Sequence, residues 1–181
     1  MAPSKLTLEA GGRGGYYESS TVRINPTGSV TVFTGSHSHG QGHETVFAQI
    51  VHEKLGVAFD SIDVVHGDTG RVPFGVGTVG SRSLAVGGPA LMRSIDKIID
   101  KGKKIAAHLL DTSYDEITFK DGEFSVSNSN KFIAFSDVVG AAYVPGNYPI
   151  ETLEPGLEET SFYDPPNLTY PAGAHICDCL L

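Results

Sequence analysis

The chain carries the run Gly-Ser-His-Ser-His-Gly-Gln-Gly-His-Glu at Gly35–Glu44, immediately before a regular helical pattern. The first N–H groups of a helix have no partners within the helix and lie at the positive end of its dipole, so a glycine loop placed there suits a phosphate. Gly40 and Gly42 let the backbone approach a ligand closely because they carry no Cβ. Gln41, between them, offers both a hydrogen-bond donor and an acceptor. The run therefore predicts a ligand loop that leads into a helix.

The sequence around this loop predicts a β-hairpin before it, and a helix and a strand after it. Residues 21–25 and 29–34 alternate apolar and polar side chains around a Pro-Thr-Gly turn, as hairpin strands do. The helix should span residues 44–55, with Gly56 as its C-terminal cap. Its apolar positions recur at helical spacing at Phe47, Val51 and Leu55. Residues 61–65 then predict a short strand.

A second glycine-rich stretch, residues 69–88, is a second candidate ligand loop, and a long amphipathic helix should follow it. Residues 89–110 carry an apolar stripe at helical spacing, and Pro89 suits the first helical turn. Gly102 interrupts the stripe at a cost of about 1 kcal/mol relative to alanine. We expect the helix to bend or end at this glycine.

The remaining sequence predicts a second hairpin, a short helix and an irregular segment. Residues 117–119 and 123–126 flank a Lys-Asp-Gly turn and indicate the hairpin. Residues 135–143 indicate a short helix with Ser136 as its N-cap. From residue 145 to residue 170 the chain is rich in proline and acidic residues and has little periodicity, so it should be extended or loop-like.

The predicted fold class is α+β: a hairpin–loop–helix–strand unit, then a long helix, a second hairpin and a short helix. We divide the chain into a loop-bearing α+β segment (1–110), a hairpin–helix segment (111–144) and an extended segment with a terminal strand (145–181). The chain stops inside an apolar run, residues 174–181. This ending favours a polypeptide that continues further, so the chain is expected to be a fragment.

Composition argues against several classes of partner. The net charge is −8, from 13 basic and 21 acidic residues without a basic cluster, so nucleic acid is not an expected partner. The sequence contains no apolar run of the length needed to span a bilayer and no export signal, and we expect a cytoplasmic protein. Cys177 and Cys179 would be either a reduced, buried pair or half of a metal site, and we give them no role.

The histidines leave a metal site open as an alternative. His37, His39 and Glu44 have the H-x-H-x4-E spacing of a cupin metal motif, which would bind iron or zinc. A helix after Glu44 argues against it, because the cupin motif lies in a β-barrel. The other interpretation is that the histidines pair with backbone groups, which we prefer for His37, His52, His66, His108 and His175. A nucleophilic pair of Ser81 with His43 is weakly supported, since no G-x-S-x-G elbow surrounds the serine.

Four stretches together resemble the large subunit of molybdenum hydroxylases, and they occur in the same order and at similar spacing. The Gly-Gln-Gly-His-Glu form is most similar to the carbon monoxide dehydrogenase type of that family, and the resemblance extends to the Pro-Pro-Asn-Leu-Thr-Tyr-Pro run near the C-terminus. The four stretches are Tyr17–Arg23, Thr34–Thr45, Gly67–Thr69 and Phe74–Ser83.

The resemblance implies part of a domain that binds molybdopterin cytosine dinucleotide with molybdenum. Gly40, Gln41, Gly42 and His43 would lie on the pterin and pyrophosphate side of this cofactor. The second loop would contribute the cofactor-binding residues Gly80, Ser81 and Arg82. The metal would be held by the pterin dithiolene, so no residue of this chain is expected to be a metal ligand.

The resemblance also implies partners and missing parts. The partners would be the rest of the large subunit and the family's FAD-containing and iron–sulfur subunits. The family's catalytic glutamate would lie beyond Leu181, and the loop that distinguishes carbon monoxide as substrate would lie before Met1. The isolated chain should therefore be inactive and should bind the cofactor poorly. A non-catalytic scaffold segment remains the alternative from another class.

Overall fold

The computed structural model describes residues 17–166, which form two β-sheets packed around one long helix. The larger sheet has four strands in the order β3-β2-β1-β7, and the smaller has three in the order β4-β5-β6. The strands are β1 (Glu18–Ile24), β2 (Val30–Thr34), β3 (Ile62–Val65), β4 (Ile117–Lys120), β5 (Glu123–Val126), β6 (Phe132–Ala134) and β7 (Leu157–Tyr163). The helices are α1 (His43–Leu55), α2 (Gly88–Leu110) and α3 (Phe135–Ala142), with a π-helical turn at Ser83–Gly87 before α2.

The first unit has the predicted order of hairpin, loop, helix and strand. Strands β1 and β2 pair antiparallel with Ile24 opposite Val30, and β3 pairs with β2 in parallel after the chain has passed through α1. The helix begins where the glycine loop ends and buries Phe47, Ala48, Val51 and Leu55. Gly56 adopts φ 71° and caps its C-terminus, as predicted.

The long helix α2 continues through Gly102 to Leu110, so it does not end at this glycine. A Cβ on Gly102 would lie 2.5 Å from Cζ of Phe124, a fully buried ring of the smaller sheet. The glycine therefore serves packing, because any side chain at this position would displace the ring. Helix α2 packs against β1 and β7 on one side and also contacts α1, α3 and β4.

Strand β7 and the start of α3 add to the sequence predictions and correct one of them. Residues 157–163 lie in the segment expected to be extended or loop-like, and they form strand β7, which pairs antiparallel with β1 along its whole length. Helix α3 begins at Phe135 with Ala134 as its N-cap, so Ser136 lies inside the first turn and is not the cap. The second hairpin, β4 with β5, is confirmed, with Ile117 opposite Val126.

One hydrophobic core runs through all three segments of the sequence. It joins Val22 of the larger sheet, Phe124 of the smaller sheet, Val138 of α3 and Leu157 of β7, all fully buried. Within residues 17–166, the helices are too short or too polar to cross a membrane. The terminal apolar run, Cys177, Cys179 and His175 lie outside the described residues.

Candidate functional site

Two glycine-rich loops meet beside the start of β1 and the end of β2. The first loop (residues 35–42) connects β2 to α1, and the second loop (residues 69–82) leads toward α2. A Cβ on Gly35 would lie 2.3 Å from Cα of Gly75, so the two backbones touch at a distance that only glycine permits. The hydroxyl of Thr78 also donates a hydrogen bond to the carbonyl of His37. The loops therefore form one structural unit.

A buried ion pair anchors this unit to β1. Nη1 of Arg82 donates to Oε2 of Glu18 at 2.8 Å and to the carbonyl of Gly77 at 3.1 Å. Glu18 is fully buried and also accepts a 3.4 Å hydrogen bond from the hydroxyl of Ser36. Burial raises the pKa of the Glu18 carboxyl, while the hydrogen bond from Arg82 opposes that rise. The pair ties the second loop to the larger sheet and, through Ser36, to the first loop.

An open cleft of about 410 Å³ separates the start of α1 from the second loop. Its lining brings together four of the seven residues predicted as cofactor-binding. These four are Gln41, His43, Gly80 and Ser81, and the remaining lining residues are Thr78, Val79, Ser83 and Leu84. Residues far apart in the sequence thus converge on one surface that lies at the amino end of a helix.

The backbone on both sides of the cleft adopts left-handed conformations. Gly40 and Gly42 have φ values of 92° and 78°, and a Cβ built on either would meet no atom within 4 Å. These two glycines therefore adopt the left-handed conformation that the loop requires, and they leave open space beside the start of α1. On the other side, Gly80 has φ 60° and Ser81 has φ 57°. A serine in this region costs roughly 1–2 kcal/mol, and such outliers gather at ligand sites.

The amino end of α1 has no capping side chain. Its N-cap is Gly42, which makes no side-chain cap hydrogen bond. Serine, threonine, aspartate or asparagine at this position would cover one of the first N–H groups, whereas glycine covers none of them. The carboxylate of Glu44 accepts its own backbone N–H, and the N-cap leaves the neighbouring N–H groups of the first turn uncovered.

Two predicted residues have surroundings that differ from the expectation. The side-chain oxygen of Gln41 accepts a hydrogen bond from the backbone N–H of His39, so it braces its own loop. Arg82 is buried against Glu18 and does not line the cleft. The sequence analysis did not identify Glu18 and Thr78 as residues that hold the two loops together. A lone glutamate at the start of an alternating strand does not indicate its partner.

The histidines divide into two groups. His52 and His108 face backbone carbonyls of Val57 and Gly146 at 2.7 and 3.4 Å, as preferred. His37 and His66 instead face each other through their Nδ1 atoms at 3.0 Å, and Nε2 of His66 lies 2.7 Å from Oε1 of Glu44. The ring of His66 also accepts a 3.5 Å hydrogen bond from the backbone N–H of Ser38, so the backbone interpretation holds for His66. The ring of His37 instead pairs with the ring of His66, which that interpretation did not predict.

The cupin interpretation of the same residues is wrong. Residues 43–55 form a helix where the cupin motif requires a barrel strand. Among residues 17–166, no three histidine, cysteine, aspartate or glutamate side chains are grouped so that they could hold a metal ion. His37, His39 and Glu44 thus do not form the metal site that their spacing allows.

The lowered pKa of Glu44 predicts how the stability of the protein changes in acid. Its own backbone N–H, and then His66, lower the pKa of the Glu44 carboxyl from 4.5 to about 2. A lowered pKa contributes stability that is present above 4.5 and is lost as the pH falls toward 2. We expect Glu44→Gln to flatten the decline of the thermal midpoint over that range. Glu53→Gln, at an exposed site on the same helix, is the control, and an equal effect of both changes would contradict the assignment.

Comparison with known proteins places the chain in a family. Residues 1–180 match the family model of the molybdopterin cofactor-binding domain, and the chain belongs to that family. It is 42% identical over 164 residues to the carbon monoxide dehydrogenase large chain of Hydrogenophaga pseudoflava, covering 90% of this chain and 20% of that relative. The chain therefore spans about a fifth of the length of the curated relatives it matches.

Solved structures agree with this assignment. A Cu,Mo-CO dehydrogenase in the carbon monoxide reduced state superposes with a TM-score of 0.80 at 41% identity, covering 85% of this chain and 19% of that chain. Quinoline 2-oxidoreductase from Pseudomonas putida 86 gives a TM-score of 0.75 at 37% identity, covering 83% of this chain and 19% of that chain. The α+β fold expected from the sequence is confirmed.

Proposed function

We propose that the cleft between the two loops binds the molybdopterin cofactor in its cytosine dinucleotide form, within the large subunit of a molybdenum hydroxylase. The observation that carries the proposal is the convergence of both loops on one cleft at the start of α1, where the N-cap is a glycine. Membership of the cofactor-binding domain family supports the molybdopterin. The dinucleotide form rests on the resemblance to the carbon monoxide dehydrogenase type.

The residues present fit such a group. Gly40 and Gly42 leave space into which a pyrophosphate can approach the backbone, and Gln41 and His43 supply polar groups beside it. Gly80 and Ser81 would contact the cofactor from the opposite wall. Arg82 would serve by fixing the second loop, because its guanidinium is engaged with Glu18 and Gly77. No metal ligand from the chain is needed, since the pterin dithiolene would hold the molybdenum.

The bound cofactor would supply the oxidation of a small molecule such as carbon monoxide, an aldehyde or an N-heterocycle, with water as the oxygen source. This chain would bind and orient the cofactor, while the catalytic glutamate of the family would come from another part of the large subunit. The proposed partners are the rest of that subunit and the FAD-containing and iron–sulfur subunits, in the cytoplasm.

The test is cofactor content in the complex that contains this chain. Gln41→Ala should lower the molybdenum bound per chain by roughly tenfold when the cofactor is limiting. The reason is that leaving a polar group of the ligand unsatisfied usually costs about 1–3 kcal/mol of binding free energy. Mild acid hydrolysis of the unaltered complex should release CMP in proportion to molybdenum. His52→Ala, at the far end of α1, is the matched control. Unchanged molybdenum in the Gln41 variant would contradict the site, and a different nucleotide would contradict the cytosine form.

A further inference from the structure

The amino end of α1 carries a carboxylate of its own, that of Glu44. This carboxylate accepts its own backbone N–H, and with His66 this keeps the pKa of Glu44 at about 2, so it is ionised at physiological pH. Glu44 is half exposed. A phosphate that approached the same helix end would be repelled by this charge unless the carboxylate were held aside.

His66 holds that carboxylate. Its Nε2 lies 2.7 Å from Oε1 of Glu44, its side chain is only 15% exposed, and the residue directly follows β3. Neither His66 nor Glu44 lines the cleft. The contact therefore keeps the negative charge on the β3 side of the helix start.

The second ring nitrogen of His66 meets the first loop. Nδ1 of His66 accepts a 3.5 Å hydrogen bond from the backbone N–H of Ser38 and lies 3.0 Å from Nδ1 of His37. Gly67 makes the close approach possible, since a Cβ there would lie 2.5 Å from Nδ1 of His37. One imidazole thus joins the end of β3, the first loop and the first turn of α1.

We propose that His66 is a positioning residue of the cofactor site: it keeps the Glu44 carboxylate out of the place that a ligand phosphate would take and fixes the first loop beside it. This inference rests on the proposed function. It assigns His66 no contact with the cofactor and no part in chemistry.

The test uses binding of inorganic pyrophosphate to the 181-residue chain, followed by the amide NMR signals of Gly40, Gln41 and Gly42. His66→Ala should raise the dissociation constant about tenfold, as expected for a freed like charge near a helix end. Adding Glu44→Gln to that variant should restore the constant to within about twofold, because the competing charge is gone. The loss in His66→Ala should also shrink at high salt.

His66→Gln and His52→Ala complete the design. Glutamine can still donate to Glu44, so His66→Gln should retain most of the affinity, and His52→Ala should not change it. Unchanged affinity in His66→Ala would overturn the inference, as would a double variant that binds as weakly as His66→Ala. If the unaltered chain binds no pyrophosphate even at millimolar concentration, the proposed phosphate site itself fails, and the inference fails with it.

Discussion

Replacing Arg82 with methionine should lower the free energy of unfolding by about 3–5 kcal/mol at neutral pH, the usual result of removing one partner of a buried ion pair. Arg82 is 3% exposed and Glu18 is fully buried, so water cannot take over the lost contact. Among residues 17–166, the carboxylate of Glu18 would keep the hydroxyl of Ser36 and the N–H of Ser19 as partners in the protein interior. We expect urea denaturation to show the loss directly.

The stability lost in Arg82→Met should be largest at neutral pH and smaller in acid. Burial already raises the pKa of Glu18, and removing Arg82 removes the main opposing interaction. A raised pKa in the folded state gives a contribution that is fully present below the usual value of 4.5 and is lost as the pH rises through the folded value. The Arg82→Met variant should therefore recover stability on acidification, because a proton neutralises Glu18.

Two further variants test the cause. Adding Glu18→Gln to Arg82→Met should recover much of the stability at neutral pH and should remove its pH dependence, since no charge remains buried. Arg23→Met is the control, because it breaks the Arg23–Glu158 pair of the same sheet, whose side chains are 45% and 48% exposed. Such exposed pairs contribute at most about 1 kcal/mol. A similar loss in both single variants would show that burial of the Arg82 pair is not decisive.

Local elements of this fold were predictable because neighbouring residues determine them. Helix α1 needs only the spacing of Phe47, Val51 and Leu55 and the cap at Gly56, all within a few turns. The hairpins need only an alternating pattern and a short turn. The first loop and its helix were found for the same reason.

Elements that depend on distant partners were not predictable in this way. Strand β7 carries the exposed Glu158 and the partly exposed Glu159 and lies in a region with irregular spacing, and it becomes a strand because β1 offers it an edge. Glu18 and Arg82 are 64 positions apart, so their pairing could not be inferred from either residue alone. The resemblance predicted Arg82 as a site residue, whereas its hydrogen bonds to Glu18 and to the carbonyl of Gly77 are seen only in the packing.

Replacing Gly35 with alanine should cost about 3 kcal/mol of stability, at the upper end of the usual overpacking penalty. The new Cβ would lie 2.1 Å from Oε1 of Glu18 and 2.3 Å from Cα of Gly75. Because Cα belongs to the backbone of the second loop, no side-chain rotation can relieve the contact. The loops must separate, and that movement would also widen the cleft that we propose as the cofactor site.

Gly77→Ala separates this steric effect from a conformational one. Gly77 lies in the second loop with φ 87°, and a Cβ there would meet no atom within 4 Å. Its replacement should cost only the roughly 1–2 kcal/mol of a left-handed alanine. Urea denaturation of both variants, with amide NMR of Gly40 and Ser81, should show the larger loss and the larger shifts in Gly35→Ala. Equal losses would mean that the two loops do not touch at Gly35 and Gly75, and the cleft between them would lose its structural basis.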